Sequence, residues 1–309
     1  MAGILLLAGA VTLACSGQLP VPKIDMNWQP AGSLNEDLPD GIRVYEGSNP
    51  DLPLKAWYVR VDEIDPRITT RVVVSGDSDR KESVSSFASR LDAPVVVNGG
   101  YFRMSARPAQ HVGLLYIDGT VYHPATESVL RDSLRYHTAR AALGFTSEGD
   151  IDVAWVSSRN DSLFEWEWPP VNIEGSPSPP LDYRKAHVWS VRDGLAAGPA
   201  LVFNGRIQVT ANEEVFFGSS IPRVHPRTAA GYTRAGELIL LVVDGRQPAS
   251  RGVDLQELAT LMRDLDCVEA VNLDGGGSST LVVNGVLVNR PAGGTFQREV
   301  MSALAVFYR

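Results

Sequence analysis

Three consecutive glycines, Gly275, Gly276 and Gly277, stand directly after an apolar run that ends on a carboxylate, Ala270-Val271-Asn272-Leu273-Asp274, and before Ser278-Ser279-Thr280. The glycines leave the neighbourhood of Asp274 free of side chains, so the turn is open to a ligand and can bring backbone N–H groups up to it. The same device occurs earlier, where Pro94-Val95-Val96-Val97-Asn98 runs into Gly99-Gly100-Tyr101-Phe102. Each run follows a helical stripe. Val84, Phe87, Ala88 and Leu91 recur at i, i+3, i+4 and i+7, and Leu255, Leu258, Ala259, Leu261, Met262 and Leu265 form a longer stripe. Asp254 with Glu257 three residues on resembles a capping box that opens the second helix.

Elsewhere the period is two. Trp57, Val59 and Val61 alternate with Tyr58, Arg60 and Asp62, and Ile68, Thr70, Val72 and Val74 repeat the pattern. Asp118-Gly119, Asn204-Gly205 and Asn284-Gly285 sit between short apolar runs and tolerate the positive φ that tight hairpins need. The expected fold class is therefore α+β, with mixed, largely antiparallel sheets and a few packed helices in a single domain over residues 42–309. Residues 157–187 hold five prolines and the pair Trp166 and Trp168, and read as an extended surface insertion. The tryptophans suit either stacking on sugar rings or pinning the loop to its own domain.

Residues 1–14 carry no charged side chain and are too short to span a hydrocarbon core of about 30 Å as a helix. They read as a signal segment, and Cys15 before Ser16-Gly17 resembles the lipidation site of a bacterial lipoprotein. Residues 16–41, rich in Pro, Gly, Asn and Asp, read as a flexible tether. The expected location is the bacterial cell envelope, membrane-anchored through a lipid on Cys15, or the secreted fraction. With 28 Lys+Arg against 36 Asp+Glu and no basic run longer than two residues, the chain does not read as a nucleic-acid binder. Cys15 and Cys267 are the only thiols, which excludes a disulfide framework and a Cys-rich zinc site; Cys267 reads as a small buried residue.

Chemistry concentrates where hydrophobic runs stop: Asn98-Gly99-Gly100-Tyr101, Arg227-Thr228, Asp244-Gly245-Arg246, and Asn272 to Thr280. No phosphate-loop lysine, dinucleotide glycine fingerprint, H-E-x-x-H or G-x-S-x-G accompanies them. The five histidines are scattered without metal-ligand spacing, His111 alone lying just after a glycine turn. Each feature has a plainer reading. Asp274 can cap a tight turn, Asp244-Gly245-Arg246 can be an ordinary strand end, and a helix cap suffices to explain Asp254 and Glu257.

The segment VNLDGGGSSTLVVNG, preceded by GVDLxELA, RTAxG and VVDGR, together with VNGGYF upstream, GPALVFNG from Gly198 and the closing RxVxxALxV, resembles the phosphodiester glycosidase family. The resemblance runs from about Val44 to Phe307, and the 157–187 insertion lies outside it. It implies hydrolysis of a sugar-1-phosphodiester at the anomeric carbon, with a glycan or glycosyl-phosphate as substrate. An oxocarbenium-like transition state asks for a carboxylate near C1, which either attacks it or activates water. Asp274 fits first, then Asp244 or Glu257. The departing phosphate is a weak base, so gripping its charge matters more than protonating it, and the planar fork of arginine suits that grip.

Arg227 and Arg246 are the candidates, with N–H groups at Gly99, Gly100 and Gly275–Ser278 as further donors. Asn98, Asn272 and Ser278 then orient sugar hydroxyls or water, and Tyr101, Thr228 and Ser279 line the site. No cofactor is expected; a divalent cation shared by Asp274 and Asp244 is the alternative. Two other functions compete: a non-catalytic polysaccharide-binding lipoprotein, and a serine hydrolase using Ser278 or Ser279 with a distant histidine.

Overall fold

The computed structural model of the protein describes residues 24–294 and 296–309, so the apolar leader and Cys15 lie outside the described residues. Three antiparallel sheets dominate. The largest has eight strands in the order Asn27–Pro30, Ile42–Ser48, Lys55–Asp62, Glu237–Val243, Arg227–Thr233, Cys267–Asn272, Ala200–Phe203 and Arg206–Ile207. A seven-stranded sheet is built around Arg140–Phe145 and Ile151–Arg159. A five-stranded one is built around Val95–Asn98 and Ser302–Tyr308. One apolar core joins all three, with Val59, Leu240 and Val271 from the first meeting Leu143 and Trp155 from the second and Val97 and Leu304 from the third.

The α+β expectation is overturned: the chain is mostly β. Its α-helices among the described residues are the short segments Gly32–Asn35, Val84–Leu91 and Leu255–Asp264. The two amphipathic stripes do form helices, but each covers the outer side of one sheet, while the main core is sheet against sheet. Leu258, Ala259 and Met262 of Leu255–Asp264 pack on Leu201, Val202 and Ala270. Burying a Leu or Met side chain in this way is worth roughly 1.5–3 kcal/mol against leaving it in water. Asp254 and Glu257 complete the expected capping box.

The Asx-Gly pairs form two-residue hairpin turns, with φ of 48° and 76° at Asp118-Gly119, 50° and 71° at Asn204-Gly205, and 47° and 75° at Asn284-Gly285. Two further hairpins turn through Asp132-Ser133 and Asn160-Asp161, which reach positive φ without glycine. Residues 24–41, read as the end of a tether, join the domain instead. Asn27–Pro30 is an edge strand paired with Ile42–Ser48, and Ala31 and Leu38 enter the main core. The side chain of Asn35 bonds the Ala31 and Val44 backbones. An Asn- and Pro-bearing stretch suits an edge strand, which leaves backbone groups unpaired, as well as it suits a linker.

The 157–187 segment starts as sheet, because Ile151–Arg159 continues into Ser162–Trp166 through a tight turn. Trp166 packs edge-on against Tyr183 and Trp168 stacks on Trp155 at 5.7 Å, so both pin the loop to its own domain.

Candidate active site

The two glycine turns meet at one end of the large sheet, where Arg227 pairs with Val243. Asn98, fully buried, is the stitch. Its Oδ1 accepts from Thr228 Oγ1 at 2.7 Å and from the Thr280 N–H at 3.1 Å, and its Nδ2 donates to the Asp274 carbonyl at 2.7 Å. The Asp274 N–H in turn donates to the Gly99 carbonyl. Asn98 and Thr228 therefore build the site and are not free to hold a substrate. The expected bare N–H ridges are corrected likewise. Gly99 donates to the Ser302 carbonyl and Gly100 to Ser302 Oγ, while Gly275, Gly276, Ser278 and Ser279 donate to Asp274 Oδ1, Pro226, Gly275 and Gly276. Buried backbone donors are satisfied within the protein wherever geometry permits, here by Ser302, by Pro226 and by the second turn itself. In the second turn the N–H of Gly277 has no acceptor among the described residues.

The glycines serve instead as seats for arginines. A Cβ on Gly277 would lie 2.6 Å from Nη2 of Arg298, and one on Gly276, whose φ is +66°, would lie 3.1 Å from Nη2 of Arg246. Arg298 Nη1 also reaches Ser278 Oγ at 3.5 Å. Arg246 Nη2 donates to His225 Nδ1 at 3.2 Å, so His225 carries its proton on Nε2 and gives it to the Ser220 carbonyl. Burial first, then the charges of Arg227, Arg246 and Arg223, holds the His225 pKa below its ordinary value.

Arg227 is buried alongside Gly275, but its Nε and Nη2 donate to the carbonyls of Val253, Ile221 and Arg223. It braces the loop that carries His225, with Nη1 left over. Arg246 and Arg298 are the freer cations.

Asp274 lies half-buried among them. Desolvation pushes its pKa up to about 6, against the opposing pull of Ser278, the Gly275 N–H and the charge of Arg298. Tyr101 stands beside it, its hydroxyl donating to the Gly198 carbonyl at 3.0 Å and accepting from Asn272 Nδ2 at 2.7 Å. Burial, then the Asp274 charge, raises the phenol pKa. Asn272 Oδ1, Ser279 Oγ and Thr280 Oγ1 are buried without a protein partner.

The other carboxylates proposed from sequence are engaged elsewhere. Asp244 Oδ1 accepts from Asn289 Nδ2 and the Arg290 N–H and holds the C-terminal segment in place. Glu257 closes its capping box and pairs with Arg251 at 2.6 Å. Asp244 thus spends its Oδ1 on protein donors, and among the described residues no three acidic, His or Cys side chains gather in a metal-holding group. Ser278 has Arg298 and Asp274 as side-chain neighbours rather than the imidazole a serine nucleophile needs.

Sequence reasoning missed Arg298, although it opens the closing RxVxxALxV motif, and His225, which directly precedes Pro226-Arg227. A hollow of about 710 Å³ at the opposite end of the sheet is lined by four carboxylates, Glu63, Glu148, Asp150 and Glu269, against one cation, Arg234, a balance that disfavours a phosphodiester.

A family model described as Phosphodiester glycosidase matches residues 92–307. The N-acetylglucosamine-1-phosphodiester alpha-N-acetylglucosaminidase of Bos taurus is 28% identical over 86% of this chain and 46% of its own length. The protein of the same name from Mus musculus is 31% identical over 69% of this chain and 36% of its own length. The chain thus spans less than half the length of these curated relatives. The zebrafish catalytic domain of that enzyme, solved as a form auto-inhibited by its pro-peptide, shares the fold with a TM-score of 0.60. The match has 22% identity and covers 96% of this chain and 87% of that one.

Proposed function

The chain belongs to the phosphodiester glycosidase family, and from that premise we propose that it hydrolyses a sugar-1-phosphodiester, releasing a free sugar and a phosphate monoester. The observation that carries this reading is one carboxylate, Asp274, raised to a pKa of about 6 beside two arginines seated on bare glycines. Ordinary glycosidases pair two carboxylates, because an alkoxide leaving group must be protonated. A phosphate monoester leaves as a stable anion, so the second carboxylate is replaceable by cations. In this reading Asp274 attacks the anomeric carbon or deprotonates the attacking water, and both roles need it ionised. Arg298 and Arg246 bind the phosphate oxygens, and the N–H of Gly277, the glycine on which Arg298 is seated, is a further donor.

The substrate to try first is a diester of N-acetylglucosamine 1-phosphate, on which the named relatives act. Wild type should release N-acetylglucosamine from its methyl phosphodiester. Arg298→Ala should lower kcat/KM on the order of 100-fold, the usual cost of removing one donor to a developing anion. Full activity in Arg298→Ala would refute the phosphate assignment. The envelope location through Cys15 is part of the same proposal and rests on the apolar run that precedes that cysteine. Labelled palmitate should enter the wild type expressed in bacteria and not Cys15→Ser; label retained by the variant sinks it.

A further inference from the structure

A second group of cations lies across Tyr101 from Asp274. A cleft of about 650 Å³ opens there, with Tyr101, Arg103, Arg131, Arg140, Phe216 and Ile221 on its walls. It adjoins the reacting centre at two points: Tyr101, which bonds Asn272, and Ile221, whose carbonyl accepts from Arg227.

Arg140 is only 7% exposed. Its guanidinium lies 4.3 Å from the centre of the Phe216 ring, and its Nε donates to the Glu214 carbonyl at 3.3 Å. Among the described residues its two terminal nitrogens have no hydrogen-bond acceptor. The Nε of Arg131 is buried and unpartnered as well. Among the described residues none of Arg103, Arg131 and Arg140 has a carboxylate within ion-pair distance, whereas Arg60, Arg67 and Arg184 each do. Glu127, the one carboxylate on the wall, accepts from the Tyr183 hydroxyl. The buried carboxylate of Glu214 acts on the charge of Arg140 but spends its bonds on Ala141, Ala200, Thr210 and Trp155, so the terminal guanidinium edge on the cleft wall is left to a carboxylate or phosphate.

We propose that this cleft binds a second anionic group of the substrate, so that the preferred glycosyl phosphodiester carries a carboxylate on its sugar or an extra phosphate on its aglycone. The inference rests on Asp274 marking the reacting end.

Three synthetic diesters separate the sources: the methyl diester of N-acetylglucosamine 1-phosphate, its glycerol 3-phosphate counterpart, and the methyl diester of glucuronic acid 1-phosphate. One of the two diesters that carry an additional anionic group should exceed the singly charged methyl N-acetylglucosamine diester at least tenfold in kcat/KM, mainly through KM, and which one does identifies the source. Arg140→Met, which keeps length and removes charge, should lose at least tenfold more on that substrate than on the singly charged diester. Arg131→Gln, nearer the surface, should weaken the preference in the same direction and guards against a misfolded Arg140 variant. Equal rates on all three in the wild type, or equal losses on all three in both variants, overturn the proposal.

Should no diester turn over, the reaction reading fails by itself and the cleft is still testable by calorimetric titration with pyrophosphate. Heat of binding in wild type that disappears in Arg140→Met supports the anion site, and unchanged or absent binding refutes it.

Discussion

Asp274→Asn is expected to abolish most turnover, on the order of 1000-fold in kcat/KM, while leaving the protein at pH 7 at least as stable as the wild type. The two effects have one cause. Burial raises the folded-state pKa of Asp274 from 3.8 to about 6, so between these values the folded chain holds a proton that the unfolded chain has released. Stability from this group is full below pH 3.8 and declines as pH rises through 6, by up to about 3 kcal/mol at 1.36 kcal/mol per unit. The asparagine variant carries no such penalty. Thermal unfolding of the two proteins at pH 5 and pH 7.5 should therefore diverge in favour of the variant at the higher pH. Wild-type kcat/KM should fall as pH drops through about 6, because the carboxylate acts ionised. An Asp274→Asn protein that retains activity, or that melts well below wild type at pH 7.5, contradicts the role given to this residue.

Glu214→Ala should be the most destabilising single change that leaves the cleft residues themselves in place. Glu214 is fully buried, and its carboxylate accepts four bonds, from Ala141 N, Ala200 N, Thr210 Oγ1 and Trp155 Nε1 at 2.5–3.1 Å. Ala141 and Trp155 belong to the seven-stranded sheet and Ala200 to the eight-stranded one. Alanine orphans all four and opens a cavity, and at about 1–3 kcal/mol per unsatisfied buried group the loss should reach about 4 kcal/mol or more. Urea unfolding measures it. A loss under about 1 kcal/mol would mean that water replaces the carboxylate and that it is not the joint between the sheets. Activity should fall with stability, because Gly198, two residues before Ala200, supplies the carbonyl that fixes Tyr101 and Asn272.

What could be read in the sequence was local. The Asx-Gly hairpins and the Asp254/Glu257 capping box declare themselves within four residues, since turn and cap chemistry depends only on near neighbours. Asp132-Ser133 and Asn160-Asp161 turn just as tightly but lack glycine, so they passed unnoticed. The error in fold class has a physical source. Two helical stripes suggest helix layers, yet whether a helix packs in the middle of a domain or over one sheet depends on contacts far along the chain.

The same limit governs the site. The glycine turns, Asp274 and the arginines were legible as residues placed where apolar runs stop. Asn98 closing a bond to Asp274 across 176 positions was not, and neither were the bonds to Ser302 and Pro226 that use up turn N–H groups the sequence leaves looking free. Asp244 and Glu257 looked eligible for the same reason: a carboxylate engaged by Asn289 or Arg251 is indistinguishable in sequence from a free one.

The central claim is that water is added at the sugar and not at phosphorus, and the isotope position after turnover in H₂¹⁸O decides it. Purified protein would be incubated with the methyl phosphodiester of N-acetylglucosamine and both products weighed by mass spectrometry. Cleavage of the bond between C1 and oxygen places ¹⁸O in the released sugar and leaves methyl phosphate unlabelled, which is the predicted result. Label in the phosphate would show attack at phosphorus, and the carboxylate at Asp274 would then have no anomeric carbon to serve.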